Sequence, residues 1–472
     1  MTVIFTIKDA RALNIFVLNG SPKGEYSITL QTVNYLKLFF PEQNFETYHV
    51  GHKIKALERD MSPVIDLINK TDLLLFSYPV YTFIASAQLQ RFIELLKQSG
   101  VSLEGKYAAQ ITTSKRFYDV TAHSYIEENC HDLKLKYIAG LSADMDDLLS
   151  VNGQKDAREF FEYVLWCAEN DYYVKSPSVS CSYTPAPGTV PDDPSEPKTG
   201  DVVIVTDCEE NDTQLKNMIA RFRAVLPRKT RVVNIREYPF KGGCLGCFNC
   251  AVSGKCVYKD GFDDFLRNEI QSAEAIVIAF TIKDHLMGSC FKMYDDRQFC
   301  NGHRTVTKGM PMGYLVSGAL EAEQNLKTII EARAQVGGNF LAGVASDESD
   351  PDSEIDKLAN TLEYALQHKY APPGNFYGVG GLKIFRDLIW LMQGMMRADH
   401  KFYKKHGMYD FPQKKKGTIL KMYAVGMLLA APKVKAKMGN MLNEGMLMPY
   451  KKLLEKQNQT YLLNKAILSF SQ

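Results

Sequence analysis

Residues 176–200 read SPSVSCSYTPAPGTVPDDPSEPKTG, with six prolines and almost no large apolar side chains, and the chain on one side repeats the pattern on the other. TDLLLFSYPVYTFIASAQLQRFIE from Thr71 and AEAIVIAFTIKDHLMGSCFKMYDD from Ala273 share one order: acidic residue, buried strand, loop, amphipathic helix, 202 residues apart. KYAAQITTSKRF likewise has a counterpart in GMPMGYLVSGAL. Strand and helix patterns alternate on both sides, which favours parallel α/β sheets over other layer architectures. The expected organisation is therefore an α/β domain over residues 1–175, an extended Pro-rich linker over 176–200, a second α/β domain over 201–372 and a helical C-terminal region over 373–472.

A length of 472 residues agrees with this, being too long for one hydrophobic core. No secretion signal and no run of about 18 apolar residues is visible, so a cytoplasmic protein without a transmembrane segment is expected. The net charge of +2 hides an asymmetry: from Lys383 onward 15 Lys and 2 Arg face 3 Asp and 2 Glu, giving a basic tail on an acidic body. No nucleic-acid motif accompanies that basic tail. Of ten cysteines, Cys130, Cys167, Cys181, Cys208, Cys290 and Cys300 are scattered and four are clustered, which in a reducing compartment does not describe a disulfide scaffold.

The segment LNGSPKGEYSIT, residues 18–29, lies between the apolar run LNIFVL and the helical pattern LQTVNYLKLFF. A small polar loop there aims backbone N–H groups, the hydroxyls of Ser21, Ser27 and Thr29, and the positive end of a helix dipole at an anion such as phosphate. In an open parallel sheet, ligands bind beyond the carboxyl ends of the strands. The loops SYPVYTF and TTSKRFYD would meet the first one there and flank a flat ring.

These residues resemble the NAD(P)H-dependent FMN reductases and iron–sulfur flavoproteins of flavodoxin-like fold. GSPKGEYSIT is similar to that family's phosphate loop, and SYPVYTFIASAQLQRFIELL to its second loop and following helix. The resemblance implies two tandem flavodoxin-like, doubly wound parallel-sheet domains, with the mainly α-helical extension behind them. It implies that the Ser21-Pro22-Lys23-Gly24 turn, Ser27 and Thr29 surround the FMN phosphate. Pro79, Val80, Tyr81, Thr82 and Phe83 would line the isoalloxazine, Tyr81 tuning it as the catalytic residue. By position, Thr112, Thr113 and Ser114 form the third wall. The implied donor is NAD(P)H or a ferredoxin-type protein. The implied acceptor is a quinone or another small unsaturated compound.

The second copy departs from this pattern. After the strand DVVIVT, Asp207, Glu209, Glu210 and Asp212 stand where the first copy has small phosphate-cradling residues, and carboxylates at a helix N-terminus repel phosphate. This domain is expected to bind no FMN. It carries instead Cys244, Cys247, Cys250 and Cys256, spaced C-x2-C-x2-C-x5-C. That spacing suits a cubane iron–sulfur cluster, with zinc and metal-free thiols as alternatives. The resemblance to iron–sulfur flavoproteins implies a [4Fe–4S] centre beside FMN.

If the two domains fold as an internal pseudo-dimer, the cysteine loop approaches the flavin of the first domain. An electron carrier between protein partners, or an assembly role for the second domain, are the competing readings. His123 is expected at the surface, and LSADMDDLL, with Asp144, Asp146 and Asp147, is read as a helix start. Phe385, Leu388, Ile389, Met392, Met395 and Met396 form one helical stripe expected to cover the flavin entrance. Contact of this basic, Met-rich region with a membrane surface is the alternative.

Overall fold

The computed structural model describes residues 12–176, 183–192 and 198–430, together with 447, 448, 450–457 and 459. The chain forms two compact units, Met1–His406 and Gly407–Gln472.

Two five-stranded, wholly parallel sheets are built around inner strands of apolar residues buried on both faces, with partly exposed strands at their edges. The first contains β1 (Asn14–Asn19), β2 (Asn44–Tyr48), β3 (Leu73–Pro79), β4 (Tyr107–Ser114) and β5 (Lys136–Asp144), in the order β2-β1-β3-β4-β5. The second contains β6 (Thr199–Thr206), β7 (Arg228–Asn234), β8 (Ala275–Thr281), β9 (Pro311–Ser317) and β10 (Phe340–Ser346), in the order β7-β6-β8-β9-β10. Both orders are the doubly wound, flavodoxin-like one, whose strand order reverses beside β1 and, in the second sheet, beside β6.

Alternation along β1 sends Ile15 and Val17 to one face and Phe16 and Leu18 to the other. The first face packs on the helices Ile28–Phe39 and Val151–Asn170 through Val33, Leu36, Phe161 and Val164. The second face belongs to a core shared by both sheets, in which Leu89, Phe92 and Ile93 join Phe280, Phe291 and Tyr294.

The contact across that core is reciprocal. The helix Ala87–Gln98 packs on the helix Gly288–Arg297. Ala87 N–H donates to Asp296 Oδ2 at 2.8 Å, while Ser289 N–H and Oγ–H donate to the two Glu94 oxygens at 2.7 Å each. Residues 87 and 289, and 94 and 296, are each 202 apart, the spacing of the sequence repeat. Each helix thus places a carboxylate at the other's electropositive N-terminus.

Beyond the second sheet, the helix Phe376–Leu391 packs on the helix Gln324–Gly337, and Arg397–Lys405 on the short helix Asn249–Ser253. Of the expected apolar stripe, Ile389 and Met396 are buried, but Met395 remains exposed. In the second unit the helix Lys416–Leu429 exposes Leu420, Met422, Tyr423 and Met427. Pro432, which follows this apolar stretch in the sequence, lies outside the described residues. Among the described residues, no helix is long and apolar enough to cross a membrane.

Candidate active site

The first loop is shaped by the residue that ends β1. Asn19 is fully buried; its Nδ2 donates to Gly24 O at 2.8 Å and its Oδ1 accepts from Ser21 N–H at 3.2 Å. Lys23 N–H donates to Ser21 Oγ at 3.2 Å, and Gly24 takes φ +57°, where a side chain would be strained. Ser27 caps the helix Ile28–Phe39, its Oγ accepting from Leu30 N–H at 3.4 Å.

Ser21, Lys23 and Ser27 line one cavity with Pro79, the last residue of β3, with Val80, Tyr81 and Thr82 after it, and with Thr113 and Ser114 at the end of β4. Five expected residues lie outside that lining: Pro22, Gly24, Thr29, Phe83 and Thr112. Thr29 is buried behind it, its Oγ1 2.6 Å from Thr113 Oγ1. Phe83 packs edge-on against Tyr118, with ring centroids 4.6 Å apart. Thr112 is a correction to the expected third wall. Successive strand residues face opposite sides of a sheet, and its Oγ1 lies 2.8 Å from His123 Nε2, on the face away from Thr113. His123 is a second correction, because its ring is tucked against this strand, where burial lowers its pKa.

The loop after β3 is fastened from the second sheet's helices. Thr82 and Phe83 are consecutive non-glycine residues with φ +47° and +75°. Such backbone persists only where its surroundings over-determine it. Thr82 Oγ1 donates to Asp296 Oδ1 at 3.1 Å, Lys292 Nζ donates to Tyr81 O at 3.0 Å, and Thr121 Oγ1 donates to Phe83 O at 2.6 Å. Lys292 and Asp296 are themselves a fully buried ion pair.

The four clustered cysteines line the same cavity. Their loop is seated directly on the first sheet's residues: Gln88 Nε2 donates to Cys244 O at 3.2 Å, and Lys23 Nζ lies 5.8 Å from the centre of the Phe248 ring. Gly246, at φ +61°, is pressed against Tyr81, whose hydroxyl oxygen would stand 1.9 Å from a Cβ there. From behind, Arg297 donates to Gly242 O at 3.0 Å and to both Asp260 oxygens at 2.9 and 2.8 Å, with its guanidinium over the Tyr258 ring.

Tetrahedral zinc with bonds of about 2.3 Å needs sulfurs about 3.8 Å apart. Among the described residues, no three of these sulfurs lie within 4.8 Å of one another. A cubane takes one thiolate at each of four irons and so accepts wider separation. Gly246 N–H, donating to Cys244 Sγ at 3.4 Å, is the kind of bond that stabilises a cluster thiolate. Burial, then the nearby Asp296, pushes the Cys244 thiol up to about 12, and burial followed by Asp399 pushes Cys250 to about 11. Without a metal these thiols stay protonated.

The wall facing the flavin loops is apolar and was not anticipated beyond Phe385 and Leu388 from the C-terminal stripe. Phe117, Met145, Phe299 and His303 complete it. The expected helix start at residues 141–149 is instead the end of β5 and a short turn, and the helix begins at Val151 behind the Ser150 cap. Asp144 and Asp146 there pair with Lys115 at 2.7 and 2.8 Å.

In the second copy, the place equivalent to the phosphate loop is filled by the chain's own charges. Glu209 pairs with Arg236 at 2.6 Å and with Lys283 at 2.7 Å, and Thr281 Oγ1 donates to Asp212 at 2.9 Å. Burial pushes the Asp207 carboxyl up to about 6, against the pull of Arg236.

Residues 13–126 match the family model described as NADPH-dependent FMN reductase. A curated relative, an iron–sulfur flavoprotein of Archaeoglobus fulgidus, is 24% identical over 179 residues, which cover 35% of this chain and 78% of the relative. An FMN-dependent NADH-azoreductase of Bacillus anthracis, solved in complex with FMN, is 12% identical with a TM-score of 0.27, over 34% of this chain and 98% of its own. An NAD(P)H:quinone oxidoreductase of Methanothermobacter marburgensis is 12% identical with a TM-score of 0.27, over 35% and 100%.

Proposed function

We propose, from the match of residues 13–126 to the family model described as NADPH-dependent FMN reductase, that the chain is an FMN-dependent NAD(P)H oxidoreductase that reduces a planar, apolar carbonyl acceptor of the quinone type. A [4Fe–4S] cluster on Cys244, Cys247, Cys250 and Cys256 serves the same cavity. The observation that carries this reading is the meeting of three first-domain loops with all four cysteines around one cavity.

Ser21, Ser27 and Lys23 bind the FMN phosphate at the N-terminus of the helix Ile28–Phe39. Pro79, Val80, Tyr81 and Thr82 line one edge of the ring, and Thr113 and Ser114 another. When bound, the flavin supplies hydride acceptance and both one- and two-electron transfer. The chain's own residues orient it and exclude water. Burial, then the neighbouring Cys244, raises the Tyr81 pKa well above the usual tyrosine value, so its hydroxyl remains a donor between the flavin loop and the cysteine loop. Phe117, Phe299, Phe385 and Leu388 give a flat acceptor an apolar face.

The two α/β halves work as an internal pseudo-dimer, a reading supported by the reciprocal helix contact. They share the labour unequally: the first half holds flavin, and the second contributes cysteines while its own phosphate position is occupied by Asp207, Glu209 and Asp212. The domain limits expected at residues 175, 200 and 372 are part of this proposal, with the helix Phe376–Leu391 contributing Phe385 and Leu388 to the cavity.

The test is the visible spectrum of protein purified without oxygen, with flavin and iron counted per chain. About one FMN and about four irons per chain, bleached by NAD(P)H, are expected. Flavin without iron removes the cluster and leaves a simple reductase. No bound flavin overturns the reading.

A further inference from the structure

The cavity contains a histidine to which the oxidoreductase reading gives no role. His303 follows the turn Gln298–Asn301 and lines the cavity, its ring centre 4.5 Å from that of Phe385 and 5.9 Å from that of Phe299. Behind it stands Asp399, fully buried on the helix Arg397–Lys405. His303 Nδ1 is 3.0 Å from Asp399 Oδ2, and His303 backbone N–H donates to the same oxygen at 3.3 Å. Arg304 lies 3.8 Å from the other oxygen. Gly302, at φ +60°, makes this approach possible, since a Cβ there would stand 2.3 Å from Asp399 Oδ1.

A carboxylate accepts hydrogen bonds and donates none. The proton of a neutral His303 ring is therefore on Nδ1, and Nε2 is the nitrogen left to exchange protons with a bound molecule. The same geometry could serve only to fasten the helix Arg397–Lys405 to the body, and the experiment must separate the two roles.

We propose that His303 delivers from Nε2 the proton that a carbonyl acceptor needs in addition to hydride, and that Asp399 is its positioning residue. This rests on the oxidoreductase reading. NAD(P)H supplies the two electrons and one proton that the acceptor takes up as a hydride equivalent, leaving NAD(P)+. The acceptor's oxygen, now carrying the negative charge, takes the second proton from the His303 imidazolium. The neutral imidazole recovers its proton from solvent, so each turnover consumes one NAD(P)H and one proton and yields the two-electron, two-proton product.

The first measurement is the 15N spectrum of histidine-labelled full-length chain, free of flavin, at a pH where the ring is neutral. Nδ1 of His303 is expected to carry the proton, and the opposite tautomer overturns the proposal. The second compares 1,4-naphthoquinone, which takes up two electrons and two protons, with ferricyanide, which takes one electron and no proton, both with NAD(P)H as donor. In His303→Gln the ratio of naphthoquinone to ferricyanide turnover falls about 100-fold. In Asp399→Asn it falls in the same direction by a smaller factor, which covers the case of a His303 variant that does not fold. An unchanged ratio in both variants overturns the proposal while the oxidoreductase reading stands. A wild-type chain that binds flavin but is not reduced by NAD(P)H overturns both.

Discussion

Lys23 and Ser27 are the residues on which the phosphate assignment turns, because both line the cavity and neither is consumed by an ion pair with a carboxylate among the described residues. A hydrogen bond to a charged group contributes about 1.5–3 kcal/mol, so Lys23→Ala should weaken FMN binding by about tenfold or more. Riboflavin lacks the phosphate and should bind the variant as it binds the wild type. Fluorescence titration of the flavin-free chain with both ligands reads the ratio directly, and an unchanged ratio removes Lys23 from the phosphate site. These residues could be read from the sequence because they sit in one short run before a helix. His303 and Asp399 could not, since 96 positions separate them and each alone is an ordinary polar residue. Thr112 was misread for a different reason: strand periodicity, not loop position, decides which of two adjacent threonines faces the cavity.

Between elements, the reciprocal helix caps carry unequal loads although the sequence repeat makes them equivalent. Asp296 lies in full burial beside Lys292, and its two oxygens also accept from Ala87 N–H and Thr82 Oγ1. Glu94 is 14% exposed, and Arg91 and Ser289 bond to it at an edge of the core. Removing one partner of a buried ion pair costs about 3–5 kcal/mol. Losing a partly exposed cap costs about 1 kcal/mol. Asp296→Ala should therefore shift the urea midpoint several times further than Glu94→Ala, and it should also release flavin, because the strained Tyr81–Phe83 turn loses its anchor. Equal shifts would mean that the pinning of that turn has been misjudged. The strands, their order and the repeat were legible from hydrophobic patterning. The unequal caps were not, because burial of Lys292 and Asp296 is created only when the two halves meet.

At the scale of the whole molecule, the seam between the two sheets should respond to pH through His285. Burial alone lowers its pKa, but the hydrogen bonds it donates to Asp132 at 3.0 Å and Glu323 at 3.1 Å outweigh it and raise the group to about 10. Asp132 belongs to the first half, His285 and Glu323 to the second. A histidine raised above its unfolded value of about 6.5 contributes stability that is fully present below that pH and is lost as pH rises through about 10. For Asp132 burial acts upward, but the bonds from His285 and Lys97 prevail and lower it to about 2, so its contribution is present above about 3.8 and lost as pH falls towards 2. Glu128, which burial pushes up from 4.5 to about 7, adds a further loss as pH rises through that interval. Wild-type protein should therefore be most resistant to urea near pH 4 to 4.5, with resistance declining through the titration of Glu128 to about pH 7 and through that of His285 towards about pH 10. His285→Gln should remove the part of that decline above about pH 8, beyond the titration of Glu128. Urea midpoints collected every half pH unit for both chains give the difference curve. A flat difference from about pH 8 to 10 would show that this bridge does not couple the two halves, leaving their apolar core and the reciprocal caps to hold the flavin loops against the cysteines.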